Sequence, residues 1–113
     1  MNPFGIEYKN VTVTAATGGT AIWSADSAGG RRDCHSLNVN VDTLTGGFLK
    51  IGTGADGGTK TWFYTTTTGV FPLNFPGAGN PGSWGAAVSY SASGTIKATF
   101  EIGTHYEAAK ITS

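Results

Sequence analysis

The side chains best equipped for chemistry lie at residues 31–35, which read Arg-Arg-Asp-Cys-His. A thiol beside an imidazole is the pairing that nucleophilic catalysis uses. In an extended chain, however, Cys34 and His35 point to opposite faces and cannot easily hydrogen-bond to each other. We therefore interpret the segment as a charged loop leading into the next strand, with Arg31 and Arg32 as candidate contacts with a partner.

Neither a metal centre nor a catalytic carboxylate pair stands out in the sequence. One cysteine and two histidines, His35 and His105, lack the paired spacing of zinc motifs, so the sequence predicts no metal site and no cofactor. Seven scattered carboxylates could still pair in space, but none has an aromatic context that would raise its pKa for glycosidase chemistry. We therefore expect a protein that is not an enzyme.

A glycine-rich stretch at residues 52–58 matches the G-x-G-x-x-G pattern of dinucleotide-binding loops through Gly52, Gly54 and Gly57. That motif works by aiming the N-terminus of a helix at a phosphate. Here the aromatic residues 62–64 follow, and their composition is that of a strand. The stretch is therefore predicted to be a hairpin loop without nucleotide.

Two aromatic side chains, Trp62 and Tyr64, are candidate contacts for a glycan. Aromatic faces bury the apolar side of a sugar ring, while loop Asn and Asp side chains bind its hydroxyls. The alternative is that these rings fill the core, because a small domain needs its large aromatic residues there.

Composition limits the classes of protein to which the chain can belong. Its 113 residues carry no net charge, only 12% are charged, and 18 are glycine and 17 threonine. A neutral chain has no basic field for nucleic acid. No apolar run reaches the roughly 18 residues of a membrane helix, and the first residues do not resemble a signal peptide. We expect one domain over residues 1–113 that binds neither nucleic acid nor membrane.

Period-two alternation dominates the sequence and predicts an all-β protein. Residues 94–102 are the clearest example, because Ile96, Ala98, Phe100 and Ile102 alternate with polar side chains. The predicted strands cover 6–13 with a bulge near residue 10, 20–25, 36–42, 48–52, 60–67, 70–75, 83–91 and 94–102. About eight short strands at this spacing indicate an antiparallel, jelly-roll-like β-sandwich. The ends, 1–5 and 104–113, are predicted to be arms that reach a neighbour or fray, with a short helix at 106–111.

An apolar segment at residues 70–75 is the predicted assembly surface. Pro72 cannot donate to a β-ladder, so the segment should be an edge strand. An apolar edge left uncovered promotes aggregation, and a partner subunit or a loop of the same chain would cover it. The candidate interface residues are Val70, Phe71, Leu73, Phe75 and Trp84.

Five segments, read in order, resemble a layout found in small structural proteins of tailed phages, of the capsid-decoration or head-fibre kind. They are residues 9–25, 31–41, 46–54, 69–79 and 84–103. The layout has a Thr/Val opening strand, a basic loop before an alternating strand, a strand ending at glycine, a G-x-F-P-L turn and a closing S-G-T hairpin. Residues 54–68 and the tail after Gly103 have no counterpart in it.

The resemblance implies a non-enzymatic virion protein, a capsid decoration subunit that binds the capsid lattice and its own copies. Its partners would be the major capsid protein or other virion proteins, and its location the virion, assembled in the host cytoplasm. The alternative is a carbohydrate- or receptor-binding module of a phage tail or fibre.

Overall fold

Eight strands form the architecture of the protein, which is described over residues 5–109 in a computed structural model. Most of the connections between them are short, and the longest is the β6–β7 connection, residues 75–87. The strands are β1 (Glu7–Val13), β2 (Thr17–Trp23), β3 (Arg31–Thr45), β4 (Leu49–Thr53), β5 (Lys60–Thr65), β6 (Gly69–Asn74), β7 (Val88–Ala92) and β8 (Thr95–Glu107).

The strands form two four-stranded sheets with orders β1-β8-β3-β6, here sheet A, and β2-β7-β4-β5, here sheet B. Strand β1 pairs with β8, β2 with β7, β3 with β6 and β4 with β5, all antiparallel. The chain is thus one long hairpin of four strand pairs that is rolled up. The pairs β1–β8 and β3–β6 lie in sheet A, and the pairs β2–β7 and β4–β5 lie in sheet B. This is the jelly-roll arrangement, and it confirms the predicted antiparallel sandwich.

The core lies between the sheets and follows the alternation of the sequence. In β3, Leu37, Val39 and Val41 are buried while the residues between them are exposed. Opposite residues of an antiparallel pair share a face, so Val39 and its partner Phe100 both point inward. Across the core, the rings of Phe63 and Phe71 lie 5.2 Å apart, which ties sheet B to the edge of sheet A.

The predicted edge strand is confirmed, since β6 ends the order of sheet A. Phe71, Leu73 and Phe75 are half-buried and pack against the core. Val70 points the other way and is 73% exposed. The inward side of this edge is therefore covered by its own domain, and the outward side faces solvent.

Two predictions at the start of the chain are wrong. The predicted bulge near Asn10 is absent, because β1 pairs with β8 in unbroken register from Glu7 to Val13. Tyr8 consequently points outward and is exposed. Residues 31–35 are not a loop either, because they form the first part of β3 and pair with β8.

The predictions for the end of the chain also need correction. We predicted an arm from residue 104 and a helix from residue 106, and both predictions are wrong for residues 104–107. These residues continue β8, because β3 extends beside them as far as Arg31. Residues 1–4 and 110–113 lie outside the described residues, so the predicted arms are not described there. The strand predicted at 83–91 begins only at Val88.

Candidate functional site

One end of the sandwich concentrates the charged and aromatic side chains. Here β3 and β8 stay paired beyond the segment of β3 that pairs with β6. Arg32 lies opposite Tyr106, and Asp33 lies opposite His105. Because neighbouring residues of a strand point to opposite faces, these two pairs occupy the two faces of one ribbon. Each face carries a different set of side chains.

The first face borders a cleft of about 260 Å³ between the sheets. Trp23, Asp26, Arg32 and Tyr106 are among its lining residues. The guanidinium of Arg32 lies 4.8 Å from the Trp23 ring centroid and 5.9 Å from that of Tyr106. Lys9 approaches Trp23 as well, at 4.9 Å, so this indole lies near two cations. The cleft thus combines aromatic rings with charged groups of both signs, which suits a polar ring-shaped ligand.

Asp26 organises the loop that closes this cleft. Its two carboxylate oxygens accept hydrogen bonds from the backbone N–H groups of Ala28 (3.0 Å) and Gly30 (2.9 Å), and the Tyr106 hydroxyl donates to it. The Tyr106 hydrogen bond is the main cause that lowers the pKa of Asp26, and the same bond raises the pKa of Tyr106. The loop is thereby tied to the end of β8.

Trp23 and Arg32 are held in place from several sides. Arg32 Nη1 lies 3.1 Å from Glu7 Oε1 and 3.4 Å from Thr104 Oγ1. The indole N–H of Trp23 is buried and has no hydrogen-bond partner within residues 5–109. A buried donor without a partner costs free energy.

The second face carries four residues that we call the Asp33 cluster: Asp33, His35, His105 and Glu107. His105 Nε2 lies 3.5 Å from Asp33 Oδ2 and 3.4 Å from Glu107 Oε2, and its Nδ1 lies 2.6 Å from His35 Nε2. Asp33, His35 and His105 are buried, whereas Glu107 is exposed. The cluster is thus a partly enclosed set of acidic and imidazole groups open to solvent at Glu107.

A β-bulge brings His35 into this cluster. The register of β3 against β8 shifts between Cys34 and Ser36, so His35 is the additional residue. Burial is the main cause that lowers the pKa of His35, and the nearby His105 adds to it. The neutral imidazole is therefore favoured at this position.

The β6–β7 connection covers the cluster and fixes Asp33. Asn80 exchanges two backbone hydrogen bonds of 2.8 Å with Cys34, and the Gly82 N–H donates to Asp33 Oδ1 at 3.2 Å. Arg31 Nε lies 2.9 Å from the same oxygen. Asp33 Oδ1 therefore contacts Gly82 and Arg31, and Oδ2 faces His105.

The predicted partner contacts and the cysteine are all within this end. Arg31 lies over the ring of Trp84 at 4.2 Å, and Arg32 faces the cleft. Trp84 is exposed in the loop before β7, not on a strand, because Gly82 and Gly85 bond this segment to β3 and Gly30. The Cys34 thiol is fully buried, and burial raises its pKa to about 12. That value favours the thiol form, which is not a nucleophile.

The predicted glycan contacts do not form a platform. Trp62 is only 7% exposed, because the segment at Gly82 packs against its ring, so it lies in the core, as the alternative interpretation predicts. Tyr64 is 56% exposed and stacks on Phe48 at 5.7 Å between ring centroids. One accessible aromatic pair remains on sheet B.

The outward side of sheet A carries a second surface, which we call the Asn/Thr face. It consists of two rows of opposite residues that run across all four strands. The first row is Asn10, Glu101, Asn38 and Pro72. The second row is Thr12, Thr99, Asn40 and Val70. Together they line a shallow depression of about 340 Å³. Among these eight residues only Glu101 is charged.

Sequence reasoning missed the Asp33 cluster and the Asp26–Tyr106 contact. The alternation of His105 and Glu107 with Tyr106 was visible, but residues 104–113 were assigned to an arm. The cluster depends on strand register, which sets Asp33 opposite His105 only once β3 and β8 are paired. A strand prediction extended to Glu107 supplies only half of the signal, because the register against β3 is also needed.

A comparison of the chain with protein-family models, with curated proteins and with solved structures finds no match. Within residues 5–109, no helix has the length and apolar character that a membrane crossing requires.

Proposed function

We propose that the protein is a non-enzymatic structural subunit of a tailed-phage virion, a capsid decoration protein that binds the capsid lattice and its own copies. The Asn/Thr face, continuous with the exposed side of β6, carries this proposal. It would be the contact surface with the major capsid protein and with neighbouring subunits.

The chemistry of this face suits protein contact. Burying charged groups is costly unless they are paired, and the face holds one charged side chain, Glu101, among eight. Asn and Thr side chains both donate and accept hydrogen bonds, so they can bind a polar partner surface. Val70 and Pro72 add exposed apolar area, which contributes about 25 cal/mol per Å² when buried.

The edge of sheet A offers a further means of association. Strand β6 pairs with β3 on one side and has no strand partner on the other within the described part of the chain. Pro72 interrupts the row of donors, so a partner could pair with only part of this edge. The jelly roll and the resemblance to phage decoration proteins agree with the proposal, although a fold alone does not define a function.

Binding to undecorated capsids of a tailed phage tests the proposal. Val70→Lys adds a charge at the β6 edge of the contact without touching the core, because Val70 points outward. Thr66→Lys, at an exposed position in the turn before β6, is the matched control. We expect co-sedimentation of the wild type and of Thr66→Lys and at least a tenfold loss for Val70→Lys. Equal binding of the two variants would contradict the proposed surface.

Phe71 and Phe75 are less suitable positions for this test. Both side chains pack against the core, so polar replacements would destabilise the domain as well as any interface. Variants at Val70 separate the two effects.

A carbohydrate- or receptor-binding module is the second candidate, and the cleft at Trp23 favours it. Tyr106→Ala should abolish binding on a glycan array, whereas Tyr64→Ala, an exposed tyrosine outside the cleft, should keep it. A wild type that binds no glycan would remove this candidate.

A further inference from the structure

We infer that Asp33, His105 and Glu107 form a binding site for a zinc ion. The inference is independent of the proposed assembly function, because these residues lie outside the two rows of the Asn/Thr face. It rests on the geometry of three ligand atoms and on the contacts that hold them.

Two of the three separations between the ligand atoms match those of ligands around one ion. Asp33 Oδ2, His105 Nε2 and Glu107 Oε2 all lie within 4.8 Å of one another. His105 Nε2 is 3.5 Å from the first oxygen and 3.4 Å from the second. Tetrahedral ligands with bonds of about 2.1 Å are about 3.4 Å apart, which matches both distances. One imidazole and two carboxylates are a donor set that zinc accepts, with water completing the coordination.

The groups behind these ligands hold them in the orientation that binding needs. A ligating histidine usually donates its other ring N–H to a fixed acceptor, and His105 Nδ1 lies 2.6 Å from His35 Nε2. Asp33 Oδ1 accepts from the Gly82 N–H and pairs with Arg31, which leaves Oδ2 directed at His105. Two of the three ligands are therefore positioned before any ion arrives.

Charge and access also favour a divalent cation. Asp33 and Glu107 carry two negative charges and Arg31 one positive charge, so the neighbourhood is net negative when His105 is neutral. Glu107 is exposed at the end of β8 and gives an ion a path from solvent to the buried ligands. The carboxylate of Glu107 can move to shorten its distance to the ion at little cost.

Calorimetric titration of zinc chloride into the tag-free full chain tests the inference. We expect one zinc per chain and an affinity at least tenfold weaker for Glu107→Gln. Glu101→Gln, a carboxylate change on the same strand outside the cluster, is the matched control and should bind as the wild type does. No saturable binding, or equal affinities of the two variants, would overturn the site.

Two further measurements identify the ligands and the metal. Long-range 1H–15N spectra of the imidazoles should show zinc-dependent shifts centred on Nε2 of His105. Cys34→Ser should keep full zinc affinity because the thiol is buried, so a loss in that variant would contradict the assignment. Tighter binding of Mg²⁺ or Ca²⁺ than of zinc would also contradict it.

Discussion

Cys34 lies opposite Thr104 in the long β3–β8 pair, with its thiol directed at the Ser36 carbonyl at 3.6 Å. Burial raises the pKa of this thiol to about 12, so the reactive thiolate is scarce near neutral pH. Burial of the thiol is thus a physical argument against a nucleophilic role for Cys34 with His35 as its base.

The reactivity of this thiol is a direct prediction. In the native protein at pH 8, Cys34 should react with a thiol reagent at least a hundredfold more slowly than a free cysteine does. The same protein in denaturing guanidinium should react fully, and this serves as its control. Rapid stoichiometric labelling of the native chain would contradict the burial of Cys34.

Asp26 provides a pH-dependent prediction at the same scale. Its pKa is held below the ordinary 3.8, chiefly by the Tyr106 hydroxyl, so the ionised carboxylate stabilises the folded state. This stabilisation is present above pH 3.8 and is lost as the pH falls through the lower pKa of the folded state. Tyr106→Phe should therefore unfold more easily than the wild type at neutral pH, with a difference that shrinks below about pH 4.

Urea unfolding at several pH values measures that difference. Tyr64→Phe, which removes a hydroxyl on sheet B, is the control and should change little. A Tyr106→Phe variant with the same stability as the wild type throughout would show that the contact between Tyr106 and Asp26 contributes nothing.

The β3–β8 ribbon is the element that joins the core to the candidate site. Its middle part carries inward rows of apolar residues, and its end carries the cleft and the Asp33 cluster on opposite faces. Loss of core packing in the middle should therefore disturb the site at the end.

Phe100 is the residue that tests the contribution of the ribbon to stability. It is 3% exposed and packs edge-on against Tyr90 across the core, at 5.8 Å between centroids. Phe100→Ala should lower the free energy of unfolding by about 3–5 kcal/mol. The neighbouring Thr99→Ala, on the exposed face, should stay within about 0.5 kcal/mol of the wild type. Chemical denaturation measures both, and similar values would contradict the assigned faces.

Predictability from sequence differed between parts of this ribbon. Where one face is apolar, as at Leu37–Val41 and Ile96–Ile102, alternation identified the strands. At residues 31–35 and 104–107 charged and polar residues lie on both faces, so the alternation between apolar and polar residues is weak although the backbone pairing continues. The bulge at His35 has no local signal, because it arises from register against β8.

Side-chain exposure was the least predictable feature. Trp62 and Tyr64 share one strand and one parity, yet the first is buried beneath the segment at Gly82 and the second is exposed. Trp84 continues the alternation of β7 in the sequence, but the surrounding glycines tie it to a loop. For each of these side chains, contacts between segments that are distant in the sequence determine whether it is buried or exposed.

At the scale of the whole molecule, the two large surfaces differ in chemistry. One end of the sandwich is charged and aromatic, with the cleft and the Asp33 cluster, whereas the Asn/Thr face holds one charged side chain among its eight residues. A chain with no net charge has little electrostatic repulsion between copies, which favours self-association. The Asn/Thr face is the surface that such association would bury.

The absolute mass in solution, measured by light scattering after size exclusion, tests this central claim most directly. We predict a discrete oligomer for the wild type whose mass does not change with salt, since the face contains one charged side chain among eight, and a folded monomer for Val70→Lys. A wild type that is monomeric at every protein concentration, or a Val70→Lys variant that assembles unchanged, would contradict the account.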